Sequence, residues 1–309
     1  MLNNYSPEGT RIALAENKEY TGSLTGLKIA KENGIILEAR AVMCDAAQNL
    51  YVELGAYRGI IPREEAAFSL SGLPVKDIAV ITRVGKTVCF VVTQVEEKDG
   101  CVKILLSRRI AQKRCFDNYV SALVPGDIID AVVTHTEQFG AFCDIGCGIV
   151  SLLPVDSISV SRISHPNERF VCGQKIKAIV KEIDDVLNRI TLSHKELLGT
   201  WEENACRFEP GQTVAGIIRS VESYGIFVEL APNLAGLAEW CEDVIVGQNA
   251  AVYIKSIIPE KMKIKLVIID VGTKENNMTL PEYFVNDGHI DFWQYSPNEC
   301  SKEIITYFS

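Results

Sequence analysis

No apolar run in this 309-residue chain approaches the ~18 residues that a membrane-spanning helix needs. The first eight residues, Met1 to Glu8, lack the basic start and apolar core of a signal peptide, so a cytoplasmic protein without membrane contact is expected. Clustered metal ligands are missing too. The ten cysteines are scattered, and Cys143 and Cys147 form their only close pair. Structural zinc takes four ligands together, so buried thiols in a reducing compartment are expected, with no metal. Neither G-x-x-x-x-G-K-[ST] nor G-x-G-x-x-G occurs, and no His, among His135, His165, His194 and His289, lies beside a nucleophile motif. Nothing points to a cofactor or an enzyme. Basic residues are also in the minority, 31 Lys and Arg against 40 Asp and Glu, and the net charge is −9. That disfavours nonspecific binding of polyanions while leaving room for a local basic face.

What the chain does contain is a repeat. Pro125-Gly126 is matched by Pro210-Gly211, Phe139 by Tyr224, Phe142 by Phe227 and Asp144 by Glu229, each pair 85 residues apart. Gly173-Gln174 and Arg189-Ile190 are then matched by Gly247-Gln248 and Lys263-Ile264 at a spacing of 74. Two blocks kept in register around one eleven-residue contraction indicate two copies of one unit. A worn third copy lies upstream. There Asn49 to Gly55 resembles Ala141 to Gly146, Gly59 to Pro62 resembles Ser151 to Pro154, and Lys103 to Ser107 resembles Arg189 to Ser193. Of the aromatic pair it keeps only Tyr51.

Each copy alternates with period two. Leu50, Val52 and Leu54, then Ala141, Cys143 and Ile145, then Ile226, Val228 and Leu230, form the apolar phase. The opposite phase carries an aromatic and then an acid: Tyr51 and Glu53, Phe142 and Asp144, Phe227 and Glu229. The reading places both on an outward face, with a bulge at Gly140 and Gly225 bringing Phe139 and Tyr224 into phase. Short strands with close turns suggest small barrels or sandwiches. Between copies the period changes to helical, over Arg108–Leu123 and Lys195–Phe208, and Leu24–Glu32 has the pattern of a short helix.

The second copy resembles the ribosomal protein S1 RNA-binding domain, a five-stranded OB-type barrel, through Phe139 to Gly146, Val155 to Ser159, Arg162 to Pro166, Gly173 to Ile176 and Arg189 to Ser193. The third resembles it through Tyr224 to Leu230, Gly236-Leu237 and Gly247-Gln248. The resemblance covers residues ~34–271 and implies an all-β protein, a tandem-repeat relative of bacterial ribosomal protein S1. The expected plan is an N-terminal segment (1–33), a degenerate S1-like barrel (34–107), a helical linker (108–124), the best-matching barrel (125–194), a second helical linker (195–209), a third barrel (210–271) and an aromatic, acidic tail (272–309).

In that family two aromatics, a third-strand histidine and a fifth-strand arginine bind single-stranded RNA. Carried over, the aromatics are Phe139 and Phe142, Tyr224 and Phe227, with Tyr51 alone in the first copy. The basic position falls on Arg189, Lys263 and Lys103, and His165 lies in a loop within reach of RNA. The histidine position is lost, to Pro154, Glu239 and Pro62. The resemblance thus implies non-catalytic binding of messenger RNA at the small ribosomal subunit, with the second barrel as main binder. The competing reading is a protein-interaction module that docks on the ribosome or another RNA machine with little RNA contact. The tail, with Tyr283, Phe284, Phe292, Trp293, Tyr295, Tyr307 and Phe308 among acids, is expected to pack on the third barrel.

Overall fold

The computed structural model describes residues 5–69, 75–98, 101–184, 186, 189–273 and 280–308. The alternating segments form three closed barrels of five strands each. The first comprises β1 (Ile36–Cys44), β2 (Leu50–Leu54), β3 (Tyr57–Ile61), β4 (Thr87–Lys98) and β5 (Cys101–Ser107). The second comprises β6 (Ile128–Glu137), β7 (Gly140–Gly146), β8 (Ile149–Pro154), β9 (Lys175–Asp184) and β10 (Arg189–Ser193). The third comprises β11 (Thr213–Glu222), β12 (Gly225–Ala231), β13 (Leu234–Ala238), β14 (Asn249–Ile258) and β15 (Lys263–Val271).

In every barrel the first three strands form a meander, the third pairs parallel with the fifth, and the fourth closes onto the first. This is the OB arrangement. The inward phase fills each interior, with Leu50, Val52 and Leu54, then Ala141, Cys143 and Ile145, then Ile226 and Val228, all at most 1% exposed. Bulges recur where a strand must bend around so small a barrel. They fall at Thr134 and Arg219, 85 residues apart, and at Lys181 and Lys255, 74 apart, so the bends follow the sequence repeat.

Short helices connect the barrels. Helix α1 (Ala15–Thr21) and α2 (Leu24–Asn33) precede the first, and α3 (Asp77–Ile81) lies between β3 and β4. Of these, only α2 has the pattern read in sequence. The first linker is α4 (Arg108–Asn118) with a 3-10 turn at Val120–Ala122, where the periodicity suggested one longer helix. The second is a 3-10 turn, Lys195–Leu198, followed by α5 (Trp201–Ala205). Gly199, at φ +83°, turns the chain between them, and Thr200 with Glu203 caps α5.

Two joints hold the barrels together. At the first, the N-terminal segment runs between the first and second barrels. Glu38, 1% exposed, accepts the N–H groups of Gly9, Arg11 and Ile12 at 3.1, 2.8 and 3.0 Å. Ser6 C=O accepts from Cys147 N–H at 3.1 Å. At the second joint, Asn233 of the β12–β13 turn is fully buried. It accepts from Val160 N–H at 3.0 Å and donates to Lys195 and Gly199 C=O at 2.7 and 2.8 Å.

The tail packs on both neighbouring barrels rather than on the third alone. Trp293, Tyr295 and Phe308 join the third barrel's apolar core, and Tyr295 Oη donates to Asn233 C=O at 2.6 Å. On the second barrel Gly288 C=O accepts from Ile128 N–H at 3.0 Å, and Tyr283 Oη accepts from Lys177 N–H at 3.0 Å. The tail also carries a short ribbon, β16 (Phe292–Gln294) with β17 (Ile305–Tyr307), on which Phe292 and Tyr307 stay exposed. Among the described residues no helix is long and apolar enough to cross a membrane.

Candidate nucleic-acid interface

Strand register sets the chemistry of each outer face, because residues directly opposite share a face. In the second barrel Phe142 lies opposite both His135 and Leu152, and Leu152 lies opposite Thr191. Their neighbours Ala141, Cys143, Leu153, Ile190 and Leu192 are all buried, so the row His135–Phe142–Leu152–Thr191 looks outward. Arg189 is exposed and lies two residues before Thr191 on the same face.

Phe139 is in the two-residue turn between the paired residues Glu137 and Gly140, and is 57% exposed. No bulge at Gly140 is needed to bring it round, contrary to the expectation from spacing. The bulge lies on the facing strand, at Thr134. What Gly140 supplies is room, since a Cβ there would stand 2.6 Å from Leu153 O. The Phe139 and Phe142 rings meet edge to face at 5.9 Å, and the His135 ring lies nearly parallel to Phe142 at 6.3 Å. His135 Nε2 is 2.6 Å from Glu137 Oε1. No sequence motif singles out His135. The clue is hairpin counting: with a two-residue turn and one bulge, it falls opposite Phe142.

The third barrel repeats the plan. Its row is Ser220–Phe227–Leu237–Lys265, and Tyr224, 67% exposed in the hairpin turn, meets Phe227 edge to face at 6.2 Å. Lys263 starts the strand, while Lys265 occupies the central place that Thr191 has in the second barrel. Lys265 went unnoticed because Thr191 is not basic. Glu239, at the lost histidine position, has Lys255 at 3.8 Å.

In the first barrel the row is Met43–Tyr51–Ile60–Leu105, with exposed Lys103 two residues before Leu105. Tyr51 Oη donates to Asp45 at 3.2 Å, and no second ring accompanies it in the row.

In the second and third barrels the acids after the aromatics lie on the outer face but are not in water, whereas Glu53 of the first barrel is exposed. Asp144 is 2% exposed and Glu229 is 4% exposed. An adjoining unit covers each. Asp144 accepts from Glu8 N–H at 2.8 Å and from Gly146 and Gly148 N–H at 2.8 and 3.0 Å. Burial, reinforced by the nearby Glu8 carboxylate, pushes Asp144 up to about 7. Burial alone would raise Glu8 as well, but Arg108 at 2.7 Å, Cys89 N–H and Arg83 together hold it below its ordinary value. Glu229 accepts from Arg169 at 2.5 Å and from Arg219 at 2.8 and 3.0 Å.

The remaining histidines sort differently. His165 caps the 3-10 turn Pro166–Glu168, with Nδ1 accepting from Asn167 N–H at 3.1 Å. His194 does not cap the linker with its side chain. It is 1% exposed, and its Nδ1–H donates to Ile158 C=O at 2.9 Å. That fixes Nε2 as the acceptor for Tyr283 Oη–H at 3.2 Å. Burial drives His194 down to about 4.

The thiols are mixed rather than uniformly buried, for Cys101, Cys172 and Cys206 are exposed. Among the described residues no three His, Cys, Asp or Glu side chains are grouped to hold a metal. A cleft of about 590 Å³ between the second and third barrels is lined by residues including Arg169, His194, Asn204, Glu229 and Phe284.

Residues 123–195 match the S1 RNA binding domain. The chain is 29% identical over 228 residues to the small ribosomal subunit protein bS1 homolog of Bacillus cereus, an alignment covering 70% of this chain and 57% of that protein. Against the small ribosomal subunit protein bS1 of Staphylococcus aureus the identity is 30% over 239 residues, covering 76% of this chain and 58% of that protein. A solved multidomain protein with nucleic acid binding domains, from Streptococcus pneumoniae, aligns over 76% of this chain and 73% of its own at 13% identity and a TM-score of 0.25. The chain therefore spans a little over half the length of the bS1 relatives from B. cereus and S. aureus.

Proposed function

This chain is an S1-domain relative of the bacterial bS1 proteins, and we propose that it binds single-stranded RNA without catalysis, acting in translation at the small ribosomal subunit. The observation that carries this reading is the three-ring cluster of Phe139, Phe142 and His135 on the outer face of the second barrel, within the segment that matches the S1 domain. Exposed rings stack on any base, each worth ~1–3 kcal/mol by alanine substitution, and so favour splayed single strands over duplex. Arg189 follows the backbone at one edge. Tyr224, Phe227, Lys263 and Lys265 form the accessory face.

The first barrel is assigned a different task. Its row is apolar, with one ring tied to Asp45, and fits docking on a protein better than stacking on bases. Tyr51 and Lys103 are therefore expected to contribute little to RNA binding.

Fluorescence anisotropy of a labelled single strand of about 12 nucleotides, within the ~4–16 nucleotide site size of OB folds, tests the reading against a matched duplex. The expected result is binding of the single strand, weaker binding of the duplex, and loss on Phe142→Ala. Equal affinity for both forms, or no effect of Phe142→Ala, contradicts it.

A further inference from the structure

On β7 and again on β12 an aromatic and an acid lie two residues apart on one face, one ring reachable from solvent and one carboxylate buried under the adjoining unit. Two residues along a strand are about 7 Å. The joint between the second and third barrels therefore begins within one side chain of Phe227.

Four charged groups make that joint. Arg169, from the loop between β8 and β9, reaches across to Glu229 at 2.5 Å. Arg219, in the β11 bulge, holds Glu229 at 2.8 Å and also pairs with Glu168 of the same loop. Arg219 immediately precedes Ser220, the residue paired with Phe227. The other side of the loop is fastened to the second barrel. Thr136 Oγ1 donates to Asn167 Oδ1 at 2.6 Å, and Thr136 adjoins His135. Contacts and adjacent residues thus run without a break from Phe142 through His135, Thr136, Asn167, Glu168, Arg219 and Ser220 to Phe227. Both carboxylates of the joint are taken up by its arginines, so they do not stand as free acids against a phosphate chain. The same loop carries Arg162, exposed and without an ion-pair or hydrogen-bond partner among the described residues.

We propose that the second and third barrels form one composite site, in which a single RNA strand runs from the Phe139–Phe142–His135 cluster over the loop 161–170 to Tyr224 and Phe227. Arg162 meets a phosphate between the two clusters, and Arg169, Arg219, Glu168 and Glu229 are positioning residues that fix the spacing. This rests on the RNA reading above. A fixed joint makes the second contact intramolecular, and such linkage raises affinity by ~10²–10⁴ over either module.

The test compares labelled oligouridines of about 6 and about 14 nucleotides, chosen from the site sizes of such folds, on the full chain. The longer strand is expected to bind about 100-fold more tightly. Phe227→Ala should bring the affinity for the 14-mer close to that for the 6-mer. Arg162→Glu should weaken only the 14-mer and lower its salt slope by about one. Glu229→Gln should act in the same length-dependent way, and Arg162→Glu, at an exposed position, keeps the test open if that variant unfolds. A gain of only a few-fold with length, with Arg162→Glu silent, overturns the composite site while leaving single-barrel binding intact. Loss of binding at both lengths contradicts the RNA reading and the composite site with it.

Discussion

Phe142 is held between His135 and Phe139, so the bases would meet an organised set of rings rather than one mobile side chain. Removing it should cost ~1–3 kcal/mol, about five- to 150-fold in affinity. His135→Ala should cost less, because its ring supports rather than centres the cluster. Both are read by the anisotropy titration. Buried groups set the pH response. His194 falls from an unfolded value near 6.5 to about 4, so the unfolded chain takes up the proton first. Its contribution is full above pH 6.5 and is lost as pH falls toward 4, by at most about 3 kcal/mol. Urea midpoints between pH 7.5 and 5 should fall more for the wild type than for His194→Gln. Glu38 has the opposite sign. Burial raises it to about 7, so the folded state retains a proton that the unfolded chain gives up near 4.5. Its contribution is full below about pH 4.5 and is lost as pH rises through 7, and Glu38→Gln should flatten that part of the profile.

Within the elements, the hairpin turn governs where the outer ring goes. Gly140→Ala puts a Cβ 2.6 Å from Leu153 O, and Gly225→Ala one 2.6 Å from Ala238 O at φ +148°. Each should destabilise by about 1–3 kcal/mol, measured by thermal unfolding, and Gly140→Ala should also weaken RNA binding by displacing Phe139. The barrels themselves were readable from the sequence, since period-two alternation and the two repeat spacings come from the same packing that closes each sheet. The bulges at Thr134 and Arg219 left no local mark, because a bulge is a relation between two strands. The outward face of Asp144 and Glu229 was legible, but their burial was not, for a related reason. Alternation tells which face a side chain takes, but whether that face meets water depends on the unit that covers it, here Glu8 or Arg169 from distant parts of the chain. His135 and Lys265 were missed because strand register, not residue type, brings them beside the aromatics.

At the scale of the whole molecule, the second and third barrels are tied by a buried ionic joint, by Asn233 and by a tail that bonds to both. The chain carries −9 overall, so long-range attraction to RNA is weak and binding should depend on contact. The salt slope is accordingly expected to be shallow, set by the few phosphates that Arg162, Arg189, Lys263 and Lys265 can neutralise. The most direct test of where RNA lies is photo-crosslinking of a 4-thiouridine single strand of about 12 nucleotides, followed by peptide mass spectrometry. Adducts are predicted on the peptides holding Phe139, Phe142 and Tyr224, Phe227, and not on the peptide holding Tyr51. Adducts concentrated on the first barrel, or spread evenly over the surface, would contradict the account.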